Sequence, residues 1–116
     1  MSAQFRTPDA RPLQEIAVLD GRVRDRATLA AGLRPEVAAL HLSGNGDGLA
    51  ELVAALGGRG GVETLHLVCH GRPGQLVLGE RVLSAASLRR QGRLVTALAQ
   101  ALAPGAVIRL YACRAG

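Results

Sequence analysis

Thr64-Leu-His-Leu-Val-Cys-His-Gly71 is the stretch that decides the fold, together with Ala106-Val-Ile-Arg-Leu-Tyr-Ala-Cys113. Each is a short apolar run typical of a buried strand. Each also ends near a residue whose side chain can act in catalysis, His70 in one and Cys113 in the other. Ligands and catalytic groups gather at the carboxyl ends of neighbouring strands in an open parallel sheet. The sequence therefore predicts that His70 and Cys113 lie side by side at that edge.

Strand and helix patterns alternate around these two stretches. Three helices are predicted after the N-cap residues Asp25, Asp47 and Ser84, the last of them a long helix reaching Leu102 before Pro104-Gly105. The alternation predicts a three-layer α/β sandwich whose mostly parallel sheet has its four main strands in the order 2-1-3-4. A small β-hairpin is predicted at 75–83, and the four main strands at 15–19, 37–42, 62–68 and 106–112.

Length and composition indicate one globular domain. Residues 1–13 are polar, contain Pro8 and Pro12, and are predicted to be a flexible lead-in to a single α/β domain over 14–116. Hydrophobic residues make up 48% of the chain, which excludes a disordered class. Because there is one Phe and one Tyr, the core must be aliphatic.

The charge pattern and the cysteine content argue against several classes of binding partner. All 14 basic residues are arginine and they are scattered, and aromatic stacking platforms are nearly absent, so we expect no nucleic-acid partner. The alternative of a basic nucleic-acid binder predicts affinity that falls steeply with salt. No apolar run reaches the length of a membrane span, and no signal peptide or metal-binding Cys spacing is present. We expect neither a membrane partner nor a cofactor or metal.

The His–Cys pair has the chemistry of acyl transfer. A cysteine attacks a carbonyl as the thiolate, which an imidazole at hydrogen-bond distance generates. Gly71 follows His70 and has no side chain, so its N–H can approach a substrate oxygen as an oxyanion donor, with the N–H of Cys113 as a second donor. The residues therefore suggest His70 as base and Cys113 as nucleophile.

Structural roles compete with these chemical ones. Cys113 can be a small buried hydrophobe, and His70 a strand-end histidine bonded to backbone. His66 and His41 are expected to be packed structural histidines. Strand alternation sends Cys69 to the face opposite His70, so we expect it in the core and consider a Cys69–Cys113 disulfide disfavoured.

Two charged residues and one loop are further candidates. Asp20 ends the first strand and either lines the crevice as a substrate-binding group or only stops the strand. Arg114 follows the cysteine and either binds an acidic substrate group or is solvated. The loop from Gly44 to Gly48 lacks the lysine of a phosphate-binding loop and is predicted to be a turn before a capped helix.

The ordered motifs resemble the caspase-like (clan CD, CHAT-like) cysteine peptidase superfamily. The resemblance is greatest to a bacterial module that forms the N-terminal domain of large secreted, repeat-rich surface proteins. It is carried by motifs in the family's order across 15–113: Ile16-Ala-Val-Leu-Asp20, Asp47-Gly-Leu49, Leu65-His-Leu-Val-Cys-His-Gly71, Gly74-Gln-Leu-Val-Leu-Gly79 and Leu102-Ala-Pro-Gly-Ala-Val-Ile-Arg-Leu-Tyr-Ala-Cys113.

The chain also departs from these patterns. Tyr111 stands where the caspase signature has Gln, and Ala115 precedes the final Gly116, so the chain is not a caspase proper. Cys69 stands where the bacterial module has Ser. Caspase-like folds continue with further helices and strands beyond the cysteine, so we expect the domain over 14–116 to be incomplete.

The resemblance implies peptide-bond hydrolysis by a His70–Cys113 dyad and a secreted or cell-surface location. The substrate is then a polypeptide or the remainder of the chain's own larger protein. The alternative is a structural or anchoring module that keeps the fold without the activity. In either case an incomplete sheet exposes an edge and apolar surface, so we expect self-association or marginal stability.

Overall fold

One six-stranded sheet organises the molecule. The computed structural model describes residues 14–57 and 59–113, with the backbone alone for Cys113. The predicted lead-in over 1–13 and the residue Arg114 lie outside the described residues. In chain order the elements are β1 (Glu15–Leu19), α1 (Arg26–Ala31), β2 (Val37–His41), α2 (Gly48–Ala55), β3 (Val62–Arg72), β4 (Gln75–Leu78), β5 (Arg81–Leu83), α3 (Ala85–Arg90), α4 (Gly92–Ala101) and β6 (Leu102–Cys113).

The strand order confirms the predicted α/β class. β1 pairs in parallel with β2 and β3, and β3 pairs in parallel with β6. The four long strands therefore lie in the order β2-β1-β3-β6, which is the predicted 2-1-3-4 order. The predicted hairpin is β4 and β5, and it extends the sheet by antiparallel pairing with the end of β3.

Strand alternation divides the sheet into a tightly packed face and a more open face. Helix α2 contributes Leu49, Leu52 and Leu56 to an aliphatic core that covers the tightly packed face. The strand residues of that core alternate along β1 and β3 and are Ile16, Val18, Leu65, Leu67 and Cys69. Burial of this apolar surface is the main favourable term for the fold. Helix α1 lies over the open face, where Leu29 and Leu33 approach β1.

Two of the predicted helix caps are present. The Asp47 carboxylate accepts from the Ala50 N–H at 3.1 Å, and Ser84 forms a reciprocal capping box with Ser87. Asp25 precedes α1 as predicted but makes no side-chain cap hydrogen bond. Capping satisfies backbone donors that the first helical turn otherwise leaves unbonded.

Three sequence predictions need correction. The long helix after Ser84 is two helices, α3 and α4, because Gln91 leaves helical geometry (φ −110°, ψ 42°) just before Gly92, a poor helix former. Strand β6 begins at Leu102, ahead of Pro104-Gly105, and the register shifts between Val62 and Thr64 of β3 accommodate that irregular start. His41, expected to be packed, is exposed at the end of β2.

Strand β6 exposes apolar side chains from both faces of the sheet. Val107, Ile108, Leu110 and Tyr111 are between 44% and 54% exposed. Within the described part of the chain, β6 pairs with β3 and with no second strand. An unpaired apolar edge is a template for pairing with another chain. None of the helices found in 14–57 and 59–113 has the length and apolar character needed to cross a membrane.

We expect the 116-residue chain to self-associate through the β6 edge. Leu110→Lys places a charge on the most exposed apolar side chain of β6 and should weaken association about tenfold or more, roughly 1.4 kcal/mol. Val95→Lys is the matched control, since Val95 is an exposed apolar residue on α4. Sedimentation velocity over a range of concentrations measures both. A wild-type chain that stays monomeric at every concentration contradicts the expectation.

Candidate functional site

The carboxyl edge of the parallel strands brings together three connecting segments and the end of β3. The three connecting segments are the loop after β1 (20–25), the loop after β2 (42–47) and the turn between β4 and β5 (79–80). An isolated bridge joins Asp47 to Gly79, and the Glu80 N–H donates to the Gly46 carbonyl at 2.7 Å. Gly48 lies so close to the hairpin that a Cβ there would be 2.4 Å from the Leu78 carbonyl carbon. These contacts fix the shape of the edge beside His70.

His70 is held by a backbone carbonyl of the loop after β1. Its Nε2 lies 2.9 Å from the Arg22 carbonyl oxygen. A carbonyl oxygen only accepts, so Nε2 must carry the proton, and in the neutral imidazole Nδ1 is then the basic nitrogen. The ring is half-buried. The hydrogen bond thus assigns the tautomer in which Nδ1 acts as the proton acceptor.

Cys113 is the register partner of His70. The parallel pairing of β3 with β6 runs from Thr64 opposite Val107 to His70 opposite Cys113. Adjacent strands lie about 4.8 Å apart in the hydrogen-bonding direction, so the two backbones are close neighbours. The two residues that the sequence singled out therefore meet at one point of the sheet edge.

Strands β3, β4 and β6 pack closely together at Gly71. A Cβ on Gly71 would lie 2.6 Å from the Ala112 Cβ on β6 and 3.3 Å from the Gln75 carbonyl oxygen on β4. Real Cβ atoms essentially never approach another heavy atom at 2.6 Å. Glycine is therefore required sterically next to His70, a reason that the sequence pattern alone does not reveal. The space that a side chain would occupy at Gly71 is filled by Ala112 and Gln75.

Asp20 supports the site from within. It has no exposed surface, and its Oδ1 accepts from the Gly79 N–H at 3.2 Å. Its own N–H donates to the Val68 carbonyl at 3.0 Å, which ties the loop after β1 to β3. Its Oδ2 is buried and has no hydrogen-bond partner among the residues that the structure describes. Asp20 was a candidate for substrate binding, but its burial assigns it to holding the hairpin turn against the sheet.

Arg22 is a site residue that sequence reasoning missed. Its Nε donates to the Gly44 carbonyl at 2.6 Å, and its Nη2 lies 3.5 Å from a Glu80 carboxylate oxygen. Its own carbonyl is the acceptor for His70. No motif or periodicity distinguishes Arg22 from the other scattered arginines, because its role depends on loops that are distant in sequence.

A second polar cluster lies on the open face, away from the sheet edge. His66 Nε2 lies 2.5 Å from a Glu15 oxygen, and Arg34 donates to both Glu15 oxygens at 2.7 and 2.8 Å. The hydrogen bond from His66, with the adjacent Arg34 charge, holds the pKa of Glu15 below its usual value. The His66 ring lies 5.8 Å from the Tyr111 ring. His66 is thus a packed histidine held by hydrogen bonding to Glu15, and the prediction of a packed structural role agrees with this contact.

A groove of about 490 Å³ extends from this cluster beneath α1. Its lining is mostly apolar, including Leu29 of α1 and Leu33 just after that helix, together with Val68 and Tyr111. Across the described ranges, no three His, Cys, Asp or Glu side chains are grouped so as to hold a metal ion.

The fold and site define a class, a mixed α/β domain with a His–Cys register pair at the carboxyl edge of its parallel strands. One family model, described as a domain of unknown function (DUF4347), matches residues 16–116. The chain belongs to this family. No curated protein and no solved structure matches the chain.

Replacement of Gly71 by alanine should destabilise the domain. The new methyl group must displace the backbone of β6 at Ala112, and we expect a loss of about 1–3 kcal/mol in the free energy of unfolding. Urea denaturation measures this. The matched control is Gly92→Ala, where a Cβ meets nothing within 4 Å and the first turn of α4 should tolerate or gain from alanine.

A compensating change tests the stated cause of this loss. Ala112→Gly removes the methyl group that the new side chain would strike, so the double variant should recover part of the stability lost in Gly71→Ala. A Gly71→Ala variant as stable as the wild type contradicts the close-approach argument.

Proposed function

We propose that this chain is a caspase-like cysteine peptidase domain that hydrolyses peptide bonds through an acyl-enzyme. The proposal rests on one observation above all: His70, with Nε2 bonded to the Arg22 carbonyl, is the register partner of Cys113. A base of assigned tautomer next to a thiol is the arrangement that activates a cysteine nucleophile. The resemblance of the ordered motifs to the caspase-like superfamily supports the same proposal.

The proposed reaction has two halves. His70 Nδ1 takes the proton of the Cys113 thiol, and the thiolate forms a bond to the carbonyl carbon of the scissile peptide. As the tetrahedral intermediate collapses, the C–N bond breaks and the imidazolium returns its proton to the leaving amine. Water, deprotonated by the same nitrogen, then attacks the thioester carbon. This releases the carboxylic acid and returns the proton to the thiolate.

Two backbone N–H groups are proposed to stabilise the oxyanion. They belong to Gly71 and Cys113, which lie at the ends of the paired strands β3 and β6. Donors positioned before the reaction stabilise developing charge at little reorganisation cost.

The proposed substrate is a polypeptide, either another protein or the remainder of a larger chain that contains this domain. A secreted or cell-surface location is part of the proposal and rests on the resemblance to N-terminal modules of surface proteins. Arg114 is proposed to bind an acidic group of the substrate because it directly follows Cys113 in the sequence.

A second candidate function is a non-catalytic structural or anchoring module of a larger protein. The exposed strand β6 favours it, since Leu110 and Tyr111 present apolar surface on opposite faces. Such a strand suits docking of another polypeptide segment by strand addition. This candidate requires no reactivity at Cys113.

Alkylation kinetics of Cys113 distinguish the two candidates. In a Cys69→Ala background, which removes the buried second thiol, iodoacetamide labelling is followed against pH by mass spectrometry. If His70 activates the thiol, labelling at pH 6.5 should exceed that of an ordinary cysteine by about tenfold to a hundredfold, because an ordinary thiol of pKa near 8.5 is only about 1% ionised there.

The variant His70→Ala should reduce this labelling to the ordinary rate. His41→Ala is the matched control, since His41 is an exposed histidine on β2. It should leave the rate unchanged. Labelling that is equally fast in His70→Ala and the wild type contradicts the peptidase proposal and favours the structural module.

A further inference from the structure

We propose that Arg22 is a positioning residue, whose side chain fixes its own peptide group so that the carbonyl holds His70 in the Nε2-protonated tautomer. The inference rests on the proposed function, in which His70 Nδ1 acts as the base. In this proposal Arg22 acts on the orientation of the imidazole and not on the substrate. It acts through His70 alone.

The peptide of Arg22 lies in a segment without regular structure. It falls between the end of β1 at Leu19 and the start of α1 at Arg26. One backbone hydrogen bond, from the Val23 N–H to the Asp20 carbonyl at 3.0 Å, closes a turn that contains this peptide, and side chains hold the carbonyls that follow Asp20. The neighbouring carbonyls of Gly21 and Val23 accept from Arg26 at 2.8 and 3.4 Å. The carbonyl of Arg22, between them, accepts from His70 at 2.9 Å.

The Arg22 guanidinium connects this segment to two other loops at the sheet edge, the loop after β2 and the β4–β5 turn. Nε donates to Gly44 in the loop after β2, and Nη2 lies near Glu80 in the hairpin turn. Those two loops are joined to each other through the Glu80 N–H and the Gly46 carbonyl. Arg22 is therefore held at two points. Gly44 and Glu80 hold its guanidinium, and His70 bonds to its carbonyl.

Arginine is suited to this position because its donors diverge in a fixed plane. One donor reaches a backbone carbonyl and another a carboxylate at the same time. A lysine has a single ammonium on a flexible stem and cannot reproduce both directions. Without the side chain, the turn keeps its hydrogen bond between Val23 and Asp20 but loses its connection to Gly44 and Glu80. The turn can then shift as a unit, and its carbonyl no longer selects one tautomer of His70.

The test is the tautomer of His70, read from the ¹⁵N chemical shifts of its imidazole at a pH where the ring is neutral. In the wild type, we expect the proton on Nε2 and a non-protonated Nδ1. In Arg22→Gln, we expect averaged shifts that indicate both tautomers, and Cys113 alkylation slowed on the order of tenfold. Arg24→Gln is the matched control, an exposed arginine two residues along the same loop. It should change neither measurement.

A folding control and a second variant cover the case in which Arg22→Gln does not fold. Circular dichroism melting shows whether Arg22→Gln folds, and if it does not, Arg22→Lys replaces it. Arg22→Lys retains the positive charge, and the inference predicts averaged shifts in it too. His70 shifts identical to the wild type in a folded Arg22 variant overturn the inference, as does a wild-type proton on Nδ1.

The outcome is separable from that of the proposed function. Unchanged His70 shifts with His70-dependent labelling of Cys113 contradict the role of Arg22 and leave the peptidase proposal standing. Altered His70 shifts, with labelling of Cys113 that never depended on His70, support the positioning of the imidazole by Arg22 and contradict the peptidase proposal.

Discussion

The close approach of β3 to β6 is the constraint on which the rest of the structure depends. Eight residue pairs define that contact, from Val62 opposite Leu102 to His70 opposite Cys113. At its carboxyl end the strands are close enough that only a glycine fits at position 71, because a methyl group there would meet Ala112 at 2.6 Å. The same register that closes the aliphatic core over β3 therefore brings the histidine and the cysteine to one edge of the sheet.

The loops at that edge are held together by side-chain hydrogen bonds rather than by strand pairing. Buried Asp20 ties the hairpin turn to the end of β1, and Arg22 ties the loop after β1 to Gly44 and Glu80. Side-chain contacts of this kind hold a ring in a defined orientation, which general-base chemistry requires. The arrangement places one hydrogen-bonded imidazole nitrogen against the protein backbone, and the proposed reaction uses the other as the base.

Much of the fold follows from patterns within single segments of the chain. The alternation of strands and helices, the strand order and the caps at Asp47 and Ser84 were all predictable, since each depends on local periodicity or on chain connectivity. The irregular start of β6 at Leu102 was not, because it depends on the pairing of Leu102 with Val62 of β3 across a register shift. The pairing of His70 with Cys113 was predictable from strand order. The hydrogen bonds of Asp20 and Arg22 were not, because their partners lie 22 to 59 residues away.

The distance from His70 Nδ1 to the Cys113 sulfur in a crystal structure of the chain is the most direct test of this account. The account predicts a separation below about 4 Å, with Nε2 bonded to the Arg22 carbonyl and the sulfur facing the open edge of the sheet. A separation beyond about 7 Å, or a sulfur on the face opposite the imidazole, would contradict it. In that case the sheet topology would be unaffected, but His70 and Cys113 would not form a catalytic dyad.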